Sequence, residues 1–328
     1  MLYDALIVVS FGGPEKTEDV LPFLENVLRG RNVPRERMLE VAEHYYHFGG
    51  KSPINDQNRA LVAALRERLD LPVYWGNRNW HPLLPDTLRQ MKRDRVRRAL
   101  AFVTSAFSSY SGCRQYREDI AKAVQTIAAE GGEPLLIQKL RTFGNHPLFI
   151  QAMVDRTAVA LEQLPGAKLV FTAHSVPLVM AQSSAYEVQL RDAARLIAER
   201  VGKPEWTLAF QSRSGPATQP WLEPDIGDWL RTEHPQEVVI VPLGFISDHM
   251  EVLYDLDAEI AQLCAELGIH MLRAGTAGTH PKFIEMVAEL VREQTHAGTP
   301  HRFIGTLGAP PDECAPTCCA FARPAPRP

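Results

Sequence analysis

Two segments of this chain place titratable side chains directly after apolar runs. Val170-Phe171-Thr172-Ala173 leads into His174, and the run ending at Pro242 leads into Gly244 to Glu251. A histidine at the end of a buried strand can act as a general base, bind a metal, or pack as an ordinary core residue. Glu251 heads a series with Asp255 and Glu259, each four residues after the last. On a helix that spacing aligns the three carboxylates along one side. Like charges so placed repel by about 0.2–0.5 kcal/mol per pair, so a row of carboxylates is a natural path for a cation. The same row also fits a solvated acidic face near a helix start, where the helix dipole favours negative charge. Spacing alone leaves both readings open.

Two other signals are weak. Gly12-Gly13-Pro14 follows a strand-like run but has neither the Gly-x-Gly-x-x-Gly pattern nor a Lys-Ser/Thr ending, and Gly49-Gly50-Lys51-Ser52 has no upstream glycine at the P-loop distance. Nucleotide binding is discounted, and no His-Glu-x-x-His zinc motif exists.

The elements that must carry these residues are short apolar strands alternating with amphipathic helices. Strands are expected at Ala5–Ser10, Pro72–Trp75, Ala99–Ser105, Pro134–Ile137, Lys168–Ala173, Thr207–Gln211, Glu237–Pro242 and His270–Arg273. They lack clean alternation, as strands buried on both faces of a parallel sheet do. Val20, Phe23, Leu24, Val27 and Leu28 recur at helical spacing behind Thr17, a candidate N-cap. The fold class is therefore α/β, doubly wound. The order of elements repeats: Ala5–Ser10 runs into Phe11-Gly12-Gly13-Pro14, and Lys168–Ala173 runs into His174-Ser175-Val176-Pro177. This predicts two similar lobes, 1–150 and 151–308, joined near 140–166, and a Pro/Ala/Arg-rich tail, 309–328, expected to lack order unless a metal or partner supplies it. In open α/β sheets ligands sit beyond the carboxyl ends of the strands, so four strand exits should ring one cleft.

Bulk properties agree with a two-lobed enzyme. The 328 residues are 45% hydrophobic and carry a net charge of −4, with no basic block for nucleic acid. The apolar run Ala5 to Val9 is too short to span a bilayer and lacks a basic leader, so a cytoplasmic location without an integral membrane segment is expected. Five cysteines in this length do not make a disulfide scaffold.

Taken together, the exits resemble one family. Phe171 to Pro177, Gly244 to Asp255, Gly49 to Ile54, Tyr74 to Trp80, Gln211 to Pro216 and Trp221 to Pro224 are similar to the signature segments of ferrochelatases, in order, over residues 3 to 290. The resemblance implies two Rossmann-like lobes with a porphyrin cleft between them, and insertion of ferrous iron, the metal substrate, into a porphyrin. It implies that His174 and Glu251 are catalytic and face each other across the macrocycle, and that Asp255 and Glu259 extend the metal path. By match, Ser52 and Tyr116 contact the porphyrin. Phe11 lies at the same wall, and Tyr45, Arg29 and Arg31 are placed to meet propionates, since arginine binds carboxylates as a fork. The chemistry agrees: a neutral imidazole both accepts protons and binds borderline metals such as Fe(II).

Two departures refine this expectation. Some bacterial members carry a tyrosine where Phe11 stands, and Phe11 has no oxygen to ligate product iron. The segment after Pro14 is charged (Glu15, Lys16, Glu18, Asp19) rather than an apolar lip. The motifs are most similar to the actinobacterial branch, which implies coproporphyrin III as substrate ahead of protoporphyrin IX, and a downstream haem-pathway enzyme as a partner. Finally, Cys314, Cys318 and Cys319 resemble the C-terminal ligands of a [2Fe–2S] cluster found in some members. A cluster needs a fourth thiolate. Ala152 stands where one branch has it, so Cys113 or Cys264 must substitute, and spacing does not choose. A porphyrin or haem carrier without turnover, and a cobalt or nickel chelatase acting on a reduced tetrapyrrole, are the competing readings.

Overall fold

The computed structural model of the chain describes residues 2–30, 33–215 and 218–321. All eight expected strands form: β1 Ala5–Ser10, β2 Val73–Asn77, β3 Arg98–Val103, β4 Leu136–Lys139, β5 Lys168–His174, β6 Trp206–Gln211, β7 Glu237–Val241 and β8 His270–Arg273. They make two four-stranded sheets, ordered β2-β1-β3-β4 and β6-β5-β7-β8. Every pairing is parallel, with Val8 opposite both Trp75 and Phe102, and Val170 opposite both Thr207 and Ile240. Renumbering the second sheet from its first strand gives the order of the first, so the two lobes are alike.

Helices cover both faces of each sheet. The first lobe has α1 Val20–Val27, α2 Arg35–His47, α3 Ile54–Arg68, α4 Leu84–Arg93 and α5 Gln115–Ala129. α6 Pro147–Gln163 crosses the join, and α7 Leu178–Gln182, α8 Tyr186–Arg200, α9 Ile226–Glu233, α10 Met250–Val252, α11 Ala261–Glu266 and α12 Pro281–Thr295 follow. In β1, Leu6 and Val8 point to one cluster while Ala5, Ile7 and Val9 point to another. That two-sided burial is why the strands read as unbroken apolar runs.

The largest cluster belongs to both lobes. It joins Leu6, Val8 and Phe102 of the first sheet to Phe171, Phe210 and Val241 of the second, through Phe149, Ile150 and Met153 of α6. The exits of the two sheets are therefore held together by a common core.

Two expectations need correction. Thr17 does not cap α1. A 3-10 turn, Thr17–Asp19, precedes that helix, Asp19 is the N-cap, and the Thr17 hydroxyl donates to Gly49 O at 3.3 Å. Gly50, at φ +76°, approaches so closely that a Cβ there would lie 2.4 Å from Thr17 Cα, which commits Thr17 to this loop. The tail also does not hang free. Up to Phe321 it lies against both lobes: Asn145 Nδ2 donates to Gly308 O at 2.7 Å, Asp312 meets His301 at 3.3 Å, and Arg114 donates to Pro316 O at 2.8 Å. These polar contacts supply the order that the composition did not advertise.

Candidate active site

The loops leaving β1, β3, β5 and β7 open onto one cleft whose walls touch across the lobes. Ser108 N donates to Gln189 Oε1 at 2.8 Å, Asp248 N donates to Gln57 Oε1 at 2.9 Å, and the His44 ring stacks on Tyr254 at 3.6 Å.

His174 is the last residue of β5, and Glu251 lies in α10, just beyond the exit of β7. Because β5 and β7 are hydrogen-bonded neighbours, both side chains stand on one wall, with His174 Nε2 3.6 Å from Glu251 Oε1. This corrects the expectation that the two face each other across a macrocycle: adjacent parallel strands deliver their exits side by side. Gly244 permits the approach, since a Cβ there would meet the Ala173 Cβ at 2.6 Å.

The pair is electrostatically committed. Burial works against the His174 charge, but the Glu251 carboxylate overrides it and raises the imidazole to about 9. Burial likewise opposes ionisation of Glu251, and His174 overrides that, holding it at about 2. The cleft is open, with the side chains 32% and 51% exposed, so water screens the pair. His174 Nδ1 lies 2.5 Å from Ser175 O and must donate to it, because a carbonyl only accepts. Nε2 is thus the atom that can exchange a proton or meet a metal.

Glu251, Asp255 and Glu259 do not share a continuous α-helix. After α10 the chain widens into a π-helix, Leu253–Ile260, before α11. Such turns are rare and concentrate at functional sites. Asp255 accepts from the Ser212 hydroxyl and, at 3.3 Å, from Gln211 Nε2. Burial is the main influence on Asp255, with the Ser212 bond opposing and the Glu251 charge adding, and its pKa stands at about 7. Glu259 is also raised, by burial and then by Asp225, with Arg37 opposing.

The sequence reading missed three neighbours. His249 stacks edge-on against Phe245 and is held below its ordinary pKa, by burial first and also by the His174 charge, with Glu251 opposing. Gln211 is 2% exposed, donates to Glu251 O at 3.2 Å, and leaves its Oε1 without a hydrogen-bond partner. Ser212 adopts φ +61° to reach Asp255. All three lie inside the quoted family segments, and that was the available signal.

The opposite wall is aromatic. Phe11, 37% exposed, meets Phe23 edge-on at 6.2 Å, and Phe23 meets Tyr45 at 5.8 Å and Trp80 at 6.1 Å. Burial and then the Glu251 charge push the Tyr45 hydroxyl well above the usual tyrosine range, so Tyr45 lies within the field of the other wall. Arg78, also missed, places its guanidinium 4.4 Å from the Tyr116 ring and 5.7 Å from the Phe11 ring, and pairs with Asp119 at 2.5 Å. Tyr116 and Ser52 are buried behind this layer; the Ser52 hydroxyl accepts from Ile54 N at 3.5 Å. Arg29 is exposed, and Arg31 lies outside the described residues.

Four of the five cysteines meet elsewhere. Cys113, Cys314, Cys318 and Cys319 line one cavity of about 520 Å³, together with Arg114, Arg117 and Lys139, while Cys264 is buried in the second lobe's outer cluster. Cys113 donates to Cys314, whose thiol is lowered to about 7 by that bond, and Cys318 Sγ lies 3.5 Å from Cys319 Sγ. Among the described residues, no three His, Cys, Asp or Glu side chains lie close enough together to hold a metal.

The ferrochelatase family model matches residues 3–295. A ferrochelatase of Rhodopirellula baltica is 54% identical over 332 residues, covering 97% of this chain and 94% of the relative. Coproporphyrin III ferrochelatases of Frankia alni and Streptomyces coelicolor are 52% and 49% identical, each over 99% of this chain and over 88% and 95% of the relatives. Among solved structures, SirB from Bacillus subtilis with Fe3+ has the same fold, with a TM-score of 0.57 at 13% identity over 90% of this chain and 99% of that one. No helix among the described residues is long and apolar enough to cross a membrane.

Proposed function

The chain belongs to the ferrochelatase family, and from that premise we propose that it inserts Fe(II) into coproporphyrin III, in the cytoplasm, with His174 and Glu251 as its catalytic pair. The observation that carries the reading is the contact of these two side chains at the exits of neighbouring strands. Insertion exchanges one dication for two pyrrole protons. In the ligand-free site the pair is an ion pair, so Fe(II) arriving there displaces the His174 proton and meets a neutral imidazole beside a carboxylate. As the iron passes to the macrocycle Nε2 is vacated and accepts one pyrrole proton, and the other leaves to Asp255 or to water. Asp255, poised near neutrality, can hold or release a proton at ordinary pH. The aromatic wall of Phe11, Tyr45 and Trp80, backed by the buried Phe23, suits the flat face of a porphyrin. Fe-coproporphyrin would pass to a downstream haem-pathway enzyme.

The names of the Frankia and Streptomyces relatives support coproporphyrin over protoporphyrin, as does the charged segment after Pro14. The test supplies anaerobic Fe(II) with coproporphyrin III or with protoporphyrin IX and follows the loss of porphyrin fluorescence. Faster loss with coproporphyrin III is expected; a preference for protoporphyrin IX, or no insertion into either, would overturn the assignment.

We propose further that Cys113 joins Cys314, Cys318 and Cys319 as the thiolates of a [2Fe–2S] cluster. The support is their shared cavity, whose Arg114, Arg117 and Lys139 would offset a cluster's negative charge. Protein purified without oxygen should absorb in the visible and release acid-labile sulfide. Cys113→Ala should lose both and Cys264→Ala neither; a colourless, sulfide-free parent would end the proposal.

A further inference from the structure

We infer that the chain beyond α12 is a strap that limits how far the cleft opens. Its route crosses the lobes. Ile304 N donates to Asn145 O, and Thr306 is drawn to Asp192 of α8. The segment then passes along the first lobe, where Arg114 donates to Pro316 O at 2.8 Å and to Cys318 O at 3.2 Å. Its last two described residues take one wall each. Ala320 O accepts from the Ser183 hydroxyl at 3.0 Å, and the Phe321 ring meets Tyr110 edge-on at 4.9 Å.

These anchors are well placed to act on the cleft. Tyr110 and Arg114 belong to a π-helix, Tyr110–Arg114, that follows the exit of β3. Ser183 ends α7, the five-residue helix that follows His174. Both elements are short, and α7 buries only Ala181, so they belong to the part of the fold that opens most easily. Neighbouring residues of one chain hold both, so the walls cannot separate here without breaking one contact. Beside the strap the walls are also joined by the paired Ser108–Gln189 bonds, and farther off by the His44–Tyr254 stack and the Gln57–Asp248 bond, none of which the strap touches. Releasing the strap should therefore leave the Ser108–Gln189 pair as the remaining link at that end, let the cleft open there more often and speed ligand exchange.

The inference rests on the cleft being the porphyrin site, and its test separates the two. The full-length double variant Ser183→Ala/Phe321→Ala removes both wall contacts, and Arg114→Gln provides a second, independent release. Each lost hydrogen bond or ring contact should shift local opening about fivefold. Hydrogen exchange without ligand should accelerate about tenfold or more at 110–114 and 178–182, with the melting temperature nearly unchanged. Dissociation of Fe-coproporphyrin, read by stopped-flow displacement, should quicken about fivefold or more. Faster exchange confined to 309–321 would overturn the strap, as would looser walls with unchanged release. Should the chain bind no coproporphyrin, the proposed activity fails, while the exchange pattern still decides the strap.

Discussion

The two lobes share a strand order but not a chemistry. At the exit of β5 the second lobe carries His174, and beyond β7 it carries His249, Glu251 and Asp255. At the matching exits the first lobe carries Phe11 and the run Ser108-Ser109-Tyr110. One wall handles charge and the other offers aromatic rings. The scaffold accounts for this freedom, because strand order fixes where the exits lie and leaves their side chains open. A flat ligand seated between such walls would meet metal and protons from one side and packing from the other.

The comparison can be broken in several ways. The largest effect expected concerns the core that the lobes share. Phe149→Ala should cost about 3–5 kcal/mol, and both lobes should still melt in one transition. Two separate transitions by calorimetry would show that the lobes are independent. Next is the charged wall. Glu251→Gln removes the charge that raises His174, so the imidazole should titrate far below 9, as NMR of the ring would show. Insertion should fall about 10²-fold or more. The pair also carries a stability signature. The His174 contribution is complete below pH 6.5 and lost as pH rises through about 9, and the Glu251 contribution is complete above 4.5 and lost as pH falls toward about 2. The parent should therefore exceed Glu251→Gln in stability most between those limits.

Asp255 sharpens the same wall. Its raised pKa means that the folded state holds a proton which the unfolded state releases above 3.8, so stability declines from there to about 7 and the full cost persists above. Asp255→Asn should raise the melting temperature at pH 8 and leave it unchanged below pH 4. An equal rise at both pH values would remove the electrostatic explanation. The smallest effect belongs to the aromatic wall. Phe11→Tyr supplies an oxygen there and should slow product release a few-fold while leaving the first turnover unchanged. A burst followed by a slower steady state is the expected trace.

Much of this was legible in the sequence, for identifiable reasons. Strands buried on both faces read as apolar runs, so all eight were visible, and His174 was visible as a polar residue ending one of them. That His174 and Glu251 share a wall was not legible, because it follows from β5 and β7 being neighbours in the sheet. The π-helix after Val252 was hidden because four-residue spacing looks the same on either helix. The cavity that Cys113 shares with Cys314, Cys318 and Cys319 was hidden as well, because it forms only where the tail crosses the first lobe. Arg78 was hidden too, since its meaning lies in the rings of Phe11 and Tyr116, far away in sequence.

The central claim is that the chemistry sits on one wall. Anaerobic Fe(II) insertion into coproporphyrin III, measured side by side for His174→Ala and Phe11→Ala, tests it most directly. Loss of insertion in His174→Ala with porphyrin still bound, and turnover within a few-fold of the parent for Phe11→Ala at saturating porphyrin, is the predicted result. Near-normal turnover in His174→Ala would contradict the account.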